Sequence, residues 1–150
     1  MKKIVYLLLV LIWMGIIFRY SNMPSYQSDE QSDKVIDSTV IKIAKFFKKD
    51  LTKEQEYNIY MHSIYPVRKY AHVFEFLVLY ILVFLFINCF EIHLSNKLLY
   101  ALLWCFIYAV GDEVHQLFVP GRTGRVIDVL IDMLGSSIGL LGCYIIKSKK

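Results

Sequence analysis

The sequence predicts an all-α integral membrane protein: four transmembrane helices, with an extracytoplasmic amphipathic helical loop between the first and the second. Three observations predict it. Of the 150 residues, 57% are hydrophobic, against roughly 45–50% in an ordinary soluble domain. The apolar residues are gathered in long blocks, each about the length that a bilayer demands of one helix. Polar groups are nearly absent from the inner halves of those blocks and collect toward the ends that should share one membrane face. One membrane domain, residues 1–150, uses up the chain.

The first helix is expected from about Ile4 to Phe18, stopped by Arg19, with Tyr6, Trp13 and Tyr20 as interface aromatics. Met1-Lys2-Lys3 ahead of an uncharged run also suits a signal peptide. No alanine precedes Ala44 and no small-x-small cleavage site follows, so a retained anchor is expected. Residues 19–66 then form an outer loop, long for a structureless connection. Within it, from Asp33 to Lys49, Ile36, Val40, Ile43 and Phe47 recur at spacings of four, three and four, with Val35, Thr39 and Phe46 widening the stripe. This predicts an amphipathic helix, either a lid packed on the outer ends of the bundle or a helix lying in the outer headgroup layer. A second short helix should follow Thr52, which makes a capping box with Gln55.

The second transmembrane helix is expected to open near Val67, after the breaker Pro66, and to run to Phe90. The third covers about Leu98 to Gly111, ending in Asp112-Glu113, and the fourth about Val126 to Ile146. Gly135 and Gly139 in the fourth allow close helix contact, either within the bundle or along a homodimer seam. Lys2 and Lys3 at one end, and Lys147, Lys149 and Lys150 at the other, with an even number of spans, place both termini in the cytoplasm of a cell-membrane protein. The 17 basic and 13 acidic residues give a net charge of +4 without an aromatic-interleaved basic strip, which argues against nucleic acid as a partner. Cys89, Cys105 and Cys143 all fall inside apolar blocks, away from any metal-knuckle spacing, and read as packing residues.

With that topology, the start of helix two, the end of helix three and the start of helix four meet at the outer face. Arg68, His72 and Glu75 stand at i, i+4 and i+7 on one face of helix two, stepping about 10 Å inward at 1.5 Å per residue. Arg125, Asp128 and Asp132 repeat the arrangement on helix four, so Glu75 and Asp132 should sit at matching depth. At the end of helix three, Asp112, His115 and Gln116 share a face if the helix continues, while Glu113 points elsewhere. Val119-Pro120-Gly121-Arg122 suits a turn with proline at the first corner and glycine at positive φ at the second, bringing Arg122 back over the site. Lys69 completes the polar set.

Ionised groups at such depth are costly in lipid and must face partners or water. These residues could simply neutralise one another and hold helices together, but there are more of them than three helix ends need. The excess points to a ligand: a phosphate or carboxylate headgroup held by forked arginine donors. A catalytic reading uses His72 or His115 as general base, an acid to orient it and arginine to stabilise phosphoryl or acyl charge. A metal reading on His72, Glu75, Glu113 and His115 has only a weak helical signal, and neither metal nor cofactor is expected.

Three stretches carry a family resemblance. They are Tyr20-Ser21 through Gln27-Ser28, the run Arg68-Lys69-Tyr70-Ala71-His72-Val73-Phe74-Glu75, and Asp112-Glu113-Val114-His115-Gln116 through Pro120-Gly121-Arg122 to Asp128. In them the chain resembles the VanZ-like membrane proteins, known from glycopeptide-resistance clusters of Gram-positive bacteria, over nearly its whole length. The resemblance implies lowered susceptibility to teicoplanin and related lipoglycopeptides, with little effect on vancomycin. It also carries over a polar motif set of Arg68, Lys69, His72, Glu75, Asp112, Glu113, Gln116, Arg122 and Asp128, with Ser21 and Gln27 from the loop, while Thr123 fills the place of a serine or threonine after Pro-Gly-Arg. His115 and Arg125 stand outside that set. The expected function is therefore non-enzymatic: an outer polar pocket that engages an envelope lipid or a lipid-linked cell-wall intermediate. The alternatives are an enzyme acting on a phosphorylated or acylated lipid headgroup and, less favoured, a small transporter.

Overall fold

The computed structural model describes residues 1–48 and 51–149; Lys49, at the end of the expected amphipathic stretch, and Lys150, in the basic tail, lie outside the described residues. The described residues are all helical or connecting, with no strand. Six α-helices occur in chain order: α1 Lys2–Ser21, α2 Ser25–Val35, α3 Ile41–Phe47, α4 Lys53–Ile87, α5 Leu94–Gln116 and α6 Val126–Ser148, with a π-helical stretch Ile36–Val40 joining α2 to α3. Four of them, α1, α4, α5 and α6, are long and apolar enough to cross a membrane. Their outward faces carry large exposed side chains such as Ile4, Leu8, Ile107, Leu134 and Leu141, an apolar belt of the kind that a bilayer covers.

α4 packs most closely on α6. The two glycines of α6 set that distance: a Cβ on Gly135 would collide with the Val73 carbonyl, and one on Gly139 would come within 2.9 Å of Tyr80 Cδ1. The small-residue stripe is thus used inside the bundle, where it lets two backbones approach. Around this seam Phe76, Leu79, Tyr80 and Val83 of α4 meet Val10 and Ile17 of α1, Ala101, Cys105 and Ala109 of α5, and Cys143 of α6. The Tyr80 hydroxyl donates to the Leu98 carbonyl at 3.1 Å and the Tyr108 hydroxyl to the Met14 carbonyl at 2.6 Å, so the buried Tyr80 and the half-buried Tyr108 are both satisfied while tying neighbouring helices. Cys105 and Cys143 are buried free thiols, and Cys89 is half-buried.

The start of the second span and the end of the third differ most from those the sequence suggests. Pro66 does not open a helix; it lies inside α4, which begins at the Thr52 capping box and continues for 35 residues, about 52 Å at 1.5 Å per residue and well beyond a hydrocarbon core of about 30 Å. Proline removes one backbone donor and crowds the preceding turn. Here the cap and tertiary contacts outweigh it: Tyr60 donates to Asp33, and Lys45 pairs with Glu56 at 2.7 Å, fixing the extension against the loop segment. The second difference is α5, which does not stop at Gly111 but runs through Asp112, Glu113, His115 and Gln116, placing all four on helical spacing.

The amphipathic stretch is helical, but its stripe is split. Ser32, Ile36 and Ile41 are buried and Ala44 half-buried, a spacing of four, five and three in which the step of five spans the π-helical turn. That turn inserts one residue and rotates the helical segment after it. Ile43, Phe46 and Phe47, which an unbroken α-helix would have kept with Ile36, face outward instead. The segment therefore roofs one end of the bundle with one set of apolar residues and shows another to its surroundings.

Replacing Gly135 with leucine should overpack the α4–α6 seam and lower stability by about 1–3 kcal/mol, seen as a lower melting temperature of the purified protein in detergent. Gly142→Leu, at a position with nothing within 4 Å of the added Cβ, should leave it nearly unchanged; equal effects of the two would remove the special role of the seam.

Candidate functional site

At the end of the bundle where α1 finishes, α4 passes, α5 finishes and α6 begins, helix geometry gathers the polar residues. Close packing of α6 on α4 brings His72 opposite Asp132, Nδ1 to Oδ1 at 3.2 Å, and lets Lys69 Nζ donate to Asp128 one turn nearer the helix end. Asp132 is fully buried and its other oxygen, Oδ2, has no partner among the described residues. The spacing of three and four along both helices produces this double rung, as i, i+3 and i, i+4 neighbours share a face.

α5 contributes a second network. Asp112 Oδ2 accepts from the Ser21 hydroxyl at 2.5 Å and from Gln116 Nε2 at 2.9 Å, and Gln116 also donates to Ser21 Oγ at 2.7 Å. This buried triad locks the end of α1 to α5. Glu113, on the other side of the same helix, accepts the Arg125 backbone N–H at 2.9 Å and so holds the residue that opens α6. Oδ1 of Asp112 and Oε1 of Glu113 are buried without partners among the described residues.

The connection between α5 and α6 forms the turn that the sequence predicts. Arg122 N–H donates to the Val119 carbonyl at 3.1 Å across Pro120 and Gly121, and Gly121 has φ +73°. A side chain there would be strained and would also strike Ser25 Oγ, at the start of α2. The turn thereby seats Arg122 against the end of α1, where Nε and Nη2 donate to the carbonyls of Met23 and Tyr20 at 3.0 and 3.1 Å.

Two cavities result. One, of about 250 Å³, lies beneath α2 and is lined by Ser28, Gln31, Ser32 and Val35 from that roof, Tyr20, Ser21 and Met23 from the end of α1, and Val67, Ala71 and Glu75 from α4. The other, of about 290 Å³, is bounded by Ile64, Tyr65 and Lys69 of α4, Gln116, Asp128, Ser25 and the loop residues Gly121, Thr123 and Arg125. Arg68, His72 and Arg122 line both. The cations differ in how they are compensated. Arg68 pairs with Asp29 of α2 at 2.7 Å and Lys69 with Asp128, whereas Arg122 and Arg125 form no ion pair among the described residues. Arg122 is bound by carbonyls alone; burial lowers its pKa from the ordinary arginine value, with Arg68 adding to that effect, yet a guanidinium remains charged at neutral pH.

Of the residues that the sequence singles out, Arg68, Lys69, His72, Glu75, Gln116, Arg122 and Asp128 line the cavities, while Asp112, Glu113 and Asp132 stand behind them as anchoring acids. His115 is turned away: its ring stacks on Phe18 at 4.6 Å and its Nε2 lies 3.3 Å from Asn22 Oδ1. Gln27 bonds only the exposed Tyr26 hydroxyl. Neither Arg68 with Glu75 nor Arg122 and Arg125 with Asp128 and Asp132 pair as simple neutralisation would have them. Asp29, the partner of Arg68, is not among the residues that the sequence singles out, nor are the α2 residues of the roof; a carboxylate followed by Ser32 and Ile36 on one helical face was the signal that the chain offered. Among the described residues no group of three or more histidine, cysteine, aspartate and glutamate side chains is arranged to hold a metal ion.

A family model described as VanZ/LLP1 matches residues 6–147, nearly the whole chain. No curated protein and no solved structure gives a match.

Lys69 and Asp128 are both largely buried, with side chains 21% and 13% exposed. Lys69→Ala or Asp128→Ala alone should therefore cost about 3 kcal/mol by stranding the other charge, and the double variant clearly less than the sum. Additive losses in a double-mutant cycle, measured by thermal unfolding in detergent, would mean that the two groups do not depend on each other.

Proposed function

The chain belongs to the VanZ/LLP1 family, and on that premise we propose that it lowers susceptibility to teicoplanin and related lipoglycopeptides by engaging an anionic envelope lipid or lipid-linked cell-wall intermediate in its polar cavities. One observation carries the reading. Arg122 stands in the wall shared by both cavities, half-buried and satisfied only by backbone carbonyls. A guanidinium so placed keeps its net charge for an incoming phosphate or carboxylate, and Arg68, already held by Asp29, sits beside it as a second forked donor. Among the residues that line the two cavities, the cations Arg68, Lys69, Arg122 and Arg125 outnumber the acids Glu75 and Asp128.

The cavities belong on the extracytoplasmic side in this reading. α1 ends and α6 begins at the cavity end, so both termini lie at the opposite one, together with Lys2, Lys3, Lys147 and Lys149; basic flanks of that kind are retained in the cytoplasm. A lipid headgroup of the outer leaflet would then enter from the bilayer beneath the α2 roof, with the bilayer itself as the permanent partner.

Expression in a susceptible Gram-positive host should raise the teicoplanin concentration needed to inhibit growth, with little change for vancomycin. Arg122→Ala and Glu113→Ala, at matched membrane levels, should abolish the protection. Full protection by Arg122→Ala would remove the cavity from the mechanism, and no protection by the wild type at verified expression would remove the resistance role from this chain.

A second reading rests on His72. With Nδ1 held by Asp132, its Nε2 is the nitrogen left for the cavities that the ring lines, the arrangement by which an oriented imidazole serves as general base toward a phosphoryl or acyl group near arginine. Turnover decides between the two. Incubating the purified protein with total envelope lipid and comparing masses before and after should show binding without chemical change; a new lipid product formed by the wild type and not by His72→Ala would establish the enzyme instead.

A further inference from the structure

The cavity beneath α2 contains one carboxylate that the contacts described so far leave unused. Glu75 lines it and is half-buried. Its backbone carbonyl accepts from Trp13 Nε1 at 2.9 Å, which fixes that turn of α4 against α1. Its side chain has no hydrogen bond and no ion pair among the described residues. The unpartnered oxygens of Asp112, Glu113 and Asp132 are sealed inside the protein, but neither oxygen of the Glu75 carboxylate is. The other charged groups of this cavity are held by carboxylates, with one exception. Arg68 pairs with Asp29 at 2.7 Å and His72 meets Asp132 at 3.2 Å, whereas Arg122 has only carbonyls. One anion and one cation are therefore left in the same walls, and they do not pair with each other. A purely anionic ligand would satisfy Arg122 and bring like charge to Glu75, which is costly in a confined site. A ligand carrying both signs a few bonds apart satisfies the two together.

We propose that the ligand of this cavity is a zwitterionic lipid headgroup, its phosphate held by Arg122 and its primary ammonium donating to Glu75; the proposal rests on the reading of the cavity as a lipid site. The volume of about 250 Å³ lies below the range of about 300–1,000 Å³ that encloses a whole drug-sized ligand. It suits a phosphate with a short amine and leaves the acyl chains outside. Val35, Val67 and Ala71 give the cavity an apolar margin along which those chains leave it.

The test offers the full-length protein in detergent three lipids with identical acyl chains and counts the lipid retained by mass spectrometry of the intact complex. Phosphatidylethanolamine has a phosphate and a donating ammonium. Phosphatidylcholine keeps the charge without the donor, and phosphatidylglycerol has the phosphate alone. The ethanolamine lipid should be retained about tenfold better than either of the others, the effect of one charge-assisted hydrogen bond. Glu75→Gln keeps the shape of the side chain and should bring the ethanolamine lipid down to the level of the choline lipid, with an unchanged melting temperature. Arg122→Ala should weaken all three. Soluble phosphoethanolamine at the same concentration should not compete; equal competition would give the cavity to a soluble phosphoamine and overturn the lipid assignment. Equal retention of ethanolamine and choline lipids by the wild type needs no variant to interpret and would overturn the proposal, as would a preference that survives Glu75→Gln. If retention still depends on Arg122 in those cases, this inference fails alone; if Arg122→Ala leaves all three lipids unchanged, the reading of the cavity as a lipid site falls with it.

Discussion

The close approach of α6 to α4 sets the conditions for the polar pairs that join those two helices. Gly135 and Gly139 remove the side chains that would hold the helices apart, and the two pairs nearer the start of α6, His72 with Asp132 and Lys69 with Asp128, can form only because the backbones are already near. The dependence runs one way. Dispersion and shape bring membrane helices together without a hydrophobic drive, and the polar pairs then become tolerable because each charge or dipole meets a partner on arrival. Deeper in the bundle Phe76, Leu79, Tyr80 and Val83 provide the packed wall against which that geometry is held.

At the same end of the molecule, charge is handled unevenly. Asp112 and Glu113 are placed deep, each with one carboxylate oxygen held by neutral or backbone donors, while two arginines of the α5–α6 connection lie toward the cavities without carboxylates. A membrane protein built only for cohesion would invert this, as unmatched charge near lipid costs free energy and contributes nothing to packing. The turn at Pro120-Gly121 is the device that makes the unevenness stable: its positive φ and its contact with Ser25 fix where Arg122 begins, and two carbonyls fix where it ends.

Much of this was legible in the chain. Block length and apolar content give four spans because the bilayer tolerates few other solutions, and helical spacing along Arg68, His72, Glu75 and along Arg125, Asp128, Asp132 gives shared faces. The Pro-Gly turn is local chemistry and reads directly. What stayed hidden was tertiary. Pro66 suggests a break because proline weakens a helix, but the Tyr60–Asp33 and Lys45–Glu56 contacts that carry α4 through it join that helix to the preceding loop segment. Asp29 as the partner of Arg68 and the turning of His115 toward Phe18 are likewise products of rotation about helix axes, which spacing alone does not specify.

The π-helical turn at Ile36–Val40 divides one stripe of apolar residues between two masters. Ile36 and Ile41 anchor the roof to the bundle, and Ile43, Phe46 and Phe47 are left facing outward. Leaving such a side chain in water forgoes about 2 kcal/mol, so the outward set seeks the nearest apolar phase, which for a membrane-spanning chain is the bilayer. A single surplus residue thus gives the cover of the polar cavity two apolar sides, one fastened to the bundle and one turned outward.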